Sequence, residues 1–405
     1  MATANTTTST ARPVRSTPYA VSLLALAMGG FAIGTTEFMA MGLLPQVADG
    51  VHVSIPSAGH LISAYALGVV VGAPVLAVFG ARLPRRGLLV ALMTAYFVCN
   101  ALSALAGSYG LLLLSRFLCG VPHGAYFGVA SLVAASLAPR GREGRGVAMV
   151  MIGLSVANVV GVPAATWMGQ HLGWRSAFWV AAGLALLTAA LVVAFVPACP
   201  GNAEATGRRE LRLFAEPQAW LTLIAGAIGF GGMFALYSYI AEVVTEVGGL
   251  AEGAVPVFLL AFGLGMVAGT YVAGALADWS VFRTLLGSSL SMAALLLGYA
   301  VVAPTGWWAL APAFLVAVAS SVLVVNLQLR LMSVAGEAQT LGAAMNHSSL
   351  NIGNALGAWL GGLVIAAGWG YRAPSFVGAA LAMAGVAVLL WSATMARRHP
   401  TELSA

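Results

Sequence analysis

Residues 19–46 read YAVSLLALAMGGFAIGTTEFMAMGLLPQ and carry one charged side chain, Glu37. A helix rises about 1.5 Å per residue, so roughly 20 such residues cross the ~30 Å hydrocarbon layer of a bilayer. The run is too long for the roughly 7–15-residue apolar segment of a signal peptide. It predicts a retained first membrane helix behind a polar, Thr-rich tail, residues 1–18.

The pattern recurs. Spans are predicted at 19–46, 57–80, 87–106, 109–137, 146–168, 174–196, 218–241, 254–277, 284–303, 307–330, 341–366 and 373–395, numbered helices 1 to 12. The expected fold class is all-α, a polytopic membrane protein with twelve transmembrane helices in two pseudo-symmetric six-helix bundles. Composition agrees: of 405 residues, 60% are hydrophobic and only 7% charged. A soluble domain carries about 25% charged residues, so a water-covered globule is excluded. Disorder needs low hydrophobicity and high charge. All 18 basic residues are Arg and the net charge is +6. No compact basic stretch is interleaved with aromatics, so the expected partner is the lipid bilayer and not nucleic acid. Cys99, Cys119 and Cys199 are odd in number and scattered, which argues against a disulfide framework or a metal site.

Arginine gives the orientation. With the N-terminus inside, Arg12, Arg15, Arg82, Arg85, Arg86, Arg140, Arg142, Arg145, Arg208, Arg209, Arg212, Arg283, Arg330, Arg397 and Arg398 all fall on the cytoplasmic side. Only Arg175 and Arg372 fall outside, and Arg116 lies within a helix. Loops rich in Arg stay in the cytoplasm, so both termini are expected there. Residues 197–217, PACPGNAEATGRRELRLFAEP, form the one long polar linker. It separates bundles 19–196 and 218–396 and leaves a short tail, 397–405. The two bundles repeat at an offset near 196: Asn158-Val-Val-Gly161 matches Asn354-Ala-Leu-Gly357, and Gly173-Trp174-Arg175 matches Gly370-Tyr371-Arg372 one residue later. Two parallel six-helix repeats around a central site are a transporter architecture; chance similarity of Gly/Ala-rich helices is the alternative.

Glu37 is the only acid deep within a predicted helix, and Arg116 the only base. They fall about 13 Å and 10 Å from the outer helix ends, counted at 1.5 Å per residue. They are expected to interact, directly or through a polar neighbour. Ionisable groups at membrane depth usually face a cavity or a partner, so the pair is read as a proton- or substrate-coupling site, with a static ion pair as the alternative. His123, seven residues after Arg116, shares its helix face and is read either as a proton relay and substrate contact or as a packing histidine. His60 and His347 are read first as packing residues. Asn158, Asn326, Gln328, Asn346, Asn351 and Asn354 need partners in lipid; they either contact substrate or link helices. Phe230, Phe234 and Tyr237 recur at helical spacing and line a cavity or pack. The substrate-binding candidates are Glu37, His123, Tyr126, Asn158, Phe234, Tyr237, Asn326 and Asn354. No nucleophile elbow, Walker motif or triad spacing exists, so no enzyme and no cofactor is expected.

These residues resemble the Major Facilitator Superfamily over essentially the whole chain. Within it the likeness is to twelve-helix drug:proton antiporters of the sugar-efflux and chloramphenicol-efflux-like branch. The resemblance rests on Gly34-Thr-Thr-Glu37-Phe with Gly42-Leu-Leu-Pro45, and on Ala81-Arg82-Leu-Pro84-Arg85-Arg86, a degenerate loop 2–3 motif. A better copy, Gly274-Ala-Leu-Ala-Asp278, is followed by Arg283. Arg116-x-x-x-Gly120 in helix 4 and Gly161-Val-Pro163 after Gly153 in helix 5 complete it. Two departures stand out: Ala81 replaces the loop Asp, and Ala164-Ala165 follows Pro163 where a Gly is usual. The resemblance implies a cavity lined by helices 1, 4, 7 and 10, proton coupling assisted by Arg116, and a helix 5–helix 8 gate at Gly161 and Pro163. Arg82, Arg85, Arg86, Asp278 and Arg283 are the further gating candidates. It implies a monomer in a bacterial plasma membrane that exports a small molecule, a drug such as an amphenicol or a sugar or nucleoside, in exchange for protons. An importer of a sugar or nucleoside, and a non-transporting scaffold or receptor, are the rival readings.

Overall fold

A computed structural model describes residues 19–53, 55–201 and 210–398. The tail 1–18 with Arg12 and Arg15, the linker residues Arg208 and Arg209, and the tail beyond 398 lie outside the described residues. Ten helical stretches are long and apolar enough to cross a membrane. One of them, Val255–Val334, has 80 residues, about 120 Å at 1.5 Å per residue and several membrane thicknesses. Its backbone leaves helical geometry at Ser280 (φ −169°, ψ 106°) and at Gly306 (φ 67°, ψ −115°). The second break needs the left-handed φ that glycine adopts without penalty.

The spans are therefore α1 (Tyr19–Gly42), α2 (Ile55–Gly80), α3 (Arg85–Leu105), α4 (Tyr109–Leu137), α5 (Glu143–His171) and α6 (Trp174–Phe195). They continue as α7 (Pro217–Tyr237), α8 (255–279), α9 (281–302), α10 (Leu310–Val334), α11 (Gln339–Ala366) and α12 (Ala373–Arg398). The first predicted span, 19–46, is divided: a short helix, Leu44–Gly50, follows α1, because Pro45 has no N–H to continue the ladder. The seventh predicted span ends early, at Tyr237, ahead of a separate turn at Ile240–Glu242.

Small residues set the helix approaches, as they do wherever lipid supplies no hydrophobic drive between helices. A Cβ on Gly161 would lie 2.1 Å from Thr35 Oγ1 of α1, and one on Gly357 would lie 2.0 Å from the Gly231 carbonyl of α7. The second contact is the first displaced by 196 residues on both sides. Likewise Gly153 closes on the Ala27 carbonyl, while Ser349 Oγ donates to the Leu223 carbonyl at 2.6 Å, again 196 residues on. Arg175 and Arg372 repeat a role too, donating to the Ala106 and Ala300 carbonyls at 3.0 and 2.8 Å. The sequence repeat is thus a repeat of contacts.

The linker is more than a solvated connector. Glu210, 2% exposed, accepts from the Leu341 N–H at 2.9 Å and so occupies an otherwise unpaired donor in the first turn of α11. Burial raises its carboxyl above the usual range, opposed by that N–H and by the Arg85 charge. Leu213 in the turn Leu211–Ala215 packs with Ala73 and Ala77 of α2 and with Ala338 and Leu341. The face of the molecule that carries this segment is called the linker face below.

Gly357→Ala is expected to lower the melting temperature in detergent by overpacking the α7–α11 contact, a cost of about 3 kcal/mol. Gly183→Ala, with nothing within 4 Å of its Cβ, should leave the melting temperature unchanged.

Candidate functional site

A central cavity lies among α1, α4 and α5 on one side and α7, α8, α10 and α11 on the other. It holds about 770 Å³ of space free of atoms, counting its open mouth, of which about 70 Å³ is room for the centres of water-sized molecules. Of the lining helices 1, 4, 7 and 10 that the resemblance implies, all contribute; α5 and α11 join them through the expected Asn158 and Asn354, and α8 was not foreseen. One wall is an aromatic ladder: Phe230 and Phe234 centroids lie 5.3 Å apart, Phe234 and Tyr237 6.0 Å, Tyr237 and Phe262 4.8 Å. Opposite are Glu37, Phe38, Ser155 and Asn158, with Asn351 and Asn354 of α11 completing the lining. Ser155 and Thr270 hydroxyls join α5 to α8 at 2.9 Å. Sequence reasoning missed Phe38, Ser155, Thr270, Ser320 and Ser321. Their uncharged side chains carry no positional signal, though Ser155 falls on the same α5 face as Asn158.

Two expected substrate contacts do not reach the cavity. Tyr126 is fully buried and donates to the Leu26 carbonyl at 2.8 Å. Asn326 is fully buried and donates to Val322 of its own helix at 2.9 Å. The cavity face of α10 runs through Ser320, Ser321, Val324 and Val325, and Asn326 is turned away from it by the 3.6-residue period.

Glu37 and Arg116 lie within electrostatic reach of one another but form no ion pair within 4.0 Å. Arg116 is 1% exposed and off the cavity wall. Its guanidinium sits 4.5 Å from the Tyr65 ring centroid and 5.7 Å from that of Phe178, and none of its three nitrogens has a hydrogen-bond partner among the described residues. The face shared with His123 is realised through Tyr65, whose hydroxyl is 3.0 Å from His123 Nδ1 and 2.9 Å from the Tyr96 hydroxyl. His123 and His347 both line the cavity, with Phe127 stacked on His347 at 4.2 Å. His347 thus both packs on Phe127 and lines the cavity. His60 instead meets the Tyr109 hydroxyl at 3.1 Å, away from the cavity.

With that geometry established, known proteins are informative. The family model described as Major Facilitator Superfamily matches residues 26–347. The chain belongs to this superfamily. The inner membrane transport protein YdhP of Escherichia coli (strain K12) is 42% identical over 368 residues, 91% of this chain and 94% of that protein. The chloramphenicol resistance protein of Streptomyces lividans is 34% identical, over 84% of this chain and 87% of that protein. The transporter FucP in its outward conformation superposes with TM-score 0.75 over 92% of this chain and 99% of FucP. At 16% identity that likeness speaks for the fold. This facilitator is a membrane transporter and not an enzyme.

Toward the linker face the two bundles of this facilitator close on each other. Gly124 and Gly128 of α4 abut Ala344 of α11. Asp278 at the end of α8 accepts from the Gly144 N–H at 2.9 Å and pairs with Arg145 at 3.2 Å. Of the arginines after α2 expected at this closure, Arg85 acts through its charge on Glu210, the linker residue that caps α11. Arg86 donates to the Val193 carbonyl at the end of α6, in its own bundle, and the Arg85 N–H donates to Cys199 of the linker at 3.0 Å. Arg82 is exposed. Arg283 is exposed beside the Trp279 ring. Gly161 packs on Thr35 and Phe31 of α1, while Val159 meets Gly263 of α8, and Pro163 lines the crevice between α5 and α8. A π turn at Ala157–Gly161, with the Val162 N–H donating to Ala157, absorbs the donor that Pro163 lacks.

Asp278→Ala removes a charged acceptor worth about 1.5 kcal/mol; the exposed Arg145 arm adds little. Alkylation of a cysteine placed at Ala344, within the closure, is expected to accelerate by about tenfold in this variant.

Proposed function

We propose that the protein exports a small molecule across the bacterial plasma membrane in exchange for protons. The bundles 19–196 and 218–396 rock about the central cavity, giving access to one face at a time. The observation that carries the reading is Glu37: an acidic side chain on the cavity wall, facing an aromatic ladder and hydroxyl and amide groups. A carboxylate whose surroundings alternate between wet and closed changes its proton affinity with each change of access. Proton loading and substrate binding at one site then exclude one another. The gradient is the energy source and no cofactor is needed. Arg116, His123 and the asparagines Asn158 and Asn354 are the supporting polar groups.

The cavity suits a compact molecule with an aromatic or apolar face and a few hydroxyl or amide groups. The similarity to a chloramphenicol resistance protein makes amphenicols the first substrate class to test. Export fits the branch to which these relatives belong, and the Arg-rich linker face is read as cytoplasmic. The conformation described is then sealed toward the cytoplasm.

In everted vesicles with an acidified lumen, chloramphenicol is expected to release luminal protons, seen as recovery of a quenched pH dye. Glu37→Gln should reduce that recovery to the level of vesicles lacking the protein. Recovery undiminished in this variant would remove Glu37 from coupling, and further acidification by substrate would reverse the direction of transport.

A further inference from the structure

Below the cavity, His123 Nε2 of α4 and His347 Nδ1 of α11 lie 3.1 Å apart, with ring centroids 4.9 Å apart. One ring belongs to each six-helix bundle, so this hydrogen bond crosses the plane on which the bundles separate. The rings are 1% and 3% exposed. One turn further toward the linker face, Gly128 meets Ala344, so the pair is the last polar contact of the cavity before the closure.

The bridge has a fixed proton capacity. Of its four ring nitrogens, His123 Nδ1 faces the Tyr65 hydroxyl at 3.0 Å, two face each other, and His347 Nε2 is buried without a partner. An N–H···N bond needs one nitrogen protonated and the other bare. Two neutral rings satisfy this. One additional proton is also accommodated, on an outer nitrogen, with Tyr65 turning from donor to acceptor or with His347 Nε2 protonated. A second additional proton is not: both bridging nitrogens then carry hydrogen, and two cations face one another. Neighbouring groups do little to relieve this. Tyr65 of α2 and Tyr96 of α3 are the titratable neighbours, Glu37 of α1 and Arg116 of α4 the charges acting on Tyr65. Tyr237 of α7, Thr270 of α8, and Ser320 and Ser321 of α10 reach the same cavity uncharged.

We propose that the His123–His347 bridge is a proton-operated catch between the bundles, holding with one excess proton and parting with two. Separation admits water, which tolerates two imidazolium rings, so acid favours the form open at the linker face. The two histidines act as positioning residues for the conformational step. The proposal rests on the proton-coupled reading only for the route by which protons reach the cavity.

The test uses purified full-length protein in nanodiscs, with spin labels on cysteines at Ser136 and Ser333, exposed near the linker-face ends of α4 and α10, and the three native cysteines replaced by alanine. Distances are read at pH 8 and pH 5 without substrate or gradient. The longer linker-face distance is expected to gain population several-fold at pH 5 in the parent. His347→Gln, and independently His347→Asn and His123→Gln, should abolish that gain. A parent without a pH response, or a response kept in both His347 variants, overturns the proposal, as does one lost in Glu37→Gln but kept in the histidine variants. Because neither drug nor gradient is present, the result stands apart from whether Glu37 couples transport.

Discussion

Hydrocarbon offers no hydrogen bonds, and that constraint places nearly every polar side chain in this protein. A polar group left unpaired in lipid costs several kcal/mol, so each must turn back onto its own helix, meet another helix, or face the cavity. Thr35, Thr36, Thr188 and Thr222 take the first course, each donating to the carbonyl four residues earlier. Tyr126 and Ser349 take the second, tying α4 to α1 and α11 to α7. Glu37, His123, His347 and the amides Asn158, Asn351 and Asn354 collect around one central space. The cavity is chemically distinct because the rest of the membrane interior has no use for these residues.

The contacts between the bundles differ in balance from those inside them. Within a bundle, backbones interlock at glycines, an arrangement with no cheap alternative. Between bundles toward the linker face, glycines also meet backbone at Gly128–Ala344 and Gly274–Arg145, alongside an exposed ion pair, a capped N–H, an alanine-rich seam, a Ser348–Val69 hydrogen bond and a pair of imidazoles. Each is modest and each can re-form elsewhere or be solvated when parted. An exposed pair such as Arg145–Asp278 contributes roughly 0–1 kcal/mol, so the closure is firm only in sum. That is the energetic profile that the proposed rocking of the two bundles requires. The linker adds one strap across this seam through Glu210 and Leu213, a place where a connector of the same length could have remained in water.

The fold was readable because its signal is collective: twelve apolar runs and the sign of the loops survive any single misread residue. Helix ends were misplaced at Pro45, where proline breaks the ladder, and at Tyr237, where the seventh span stops short of 241. The site was readable where charge made it conspicuous. Glu37 and His123 stand out against an apolar background, whereas Ser155, Thr270 and Ser320 do not, and a hydroxyl on a membrane helix is as often bonded to its own backbone. Asn326 and Tyr126 failed for a related reason. Residue type says that a partner is needed but not in which direction it lies, and a rotation of about 100° per residue separates a cavity wall from a helix seam. His347 was undervalued because its partner is 224 residues away and no local pattern announces a contact across bundles.

Of the two expected forms of the Glu37–Arg116 interaction, direct or through a polar neighbour, Arg116 takes the indirect one. A carboxylate held against a guanidinium within the membrane would be fixed in its ionised form, and breaking a buried pair costs about 3–5 kcal/mol. Here the cation is held instead by the faces of Tyr65 and Phe178, an attraction of about 2 kcal/mol when water is absent. The charge still acts on Glu37 through space without engaging its oxygens, so the carboxylate keeps its access to the cavity. In the proposed cycle this is the useful compromise: the positive charge biases the acid, and the aromatic clamp keeps it from capturing the acid. Tyr65 joins the two ends, its ring beneath the guanidinium and its hydroxyl against His123, so a change of charge at Glu37 and a change of hydrogen bonding at the histidine bridge are felt by one side chain.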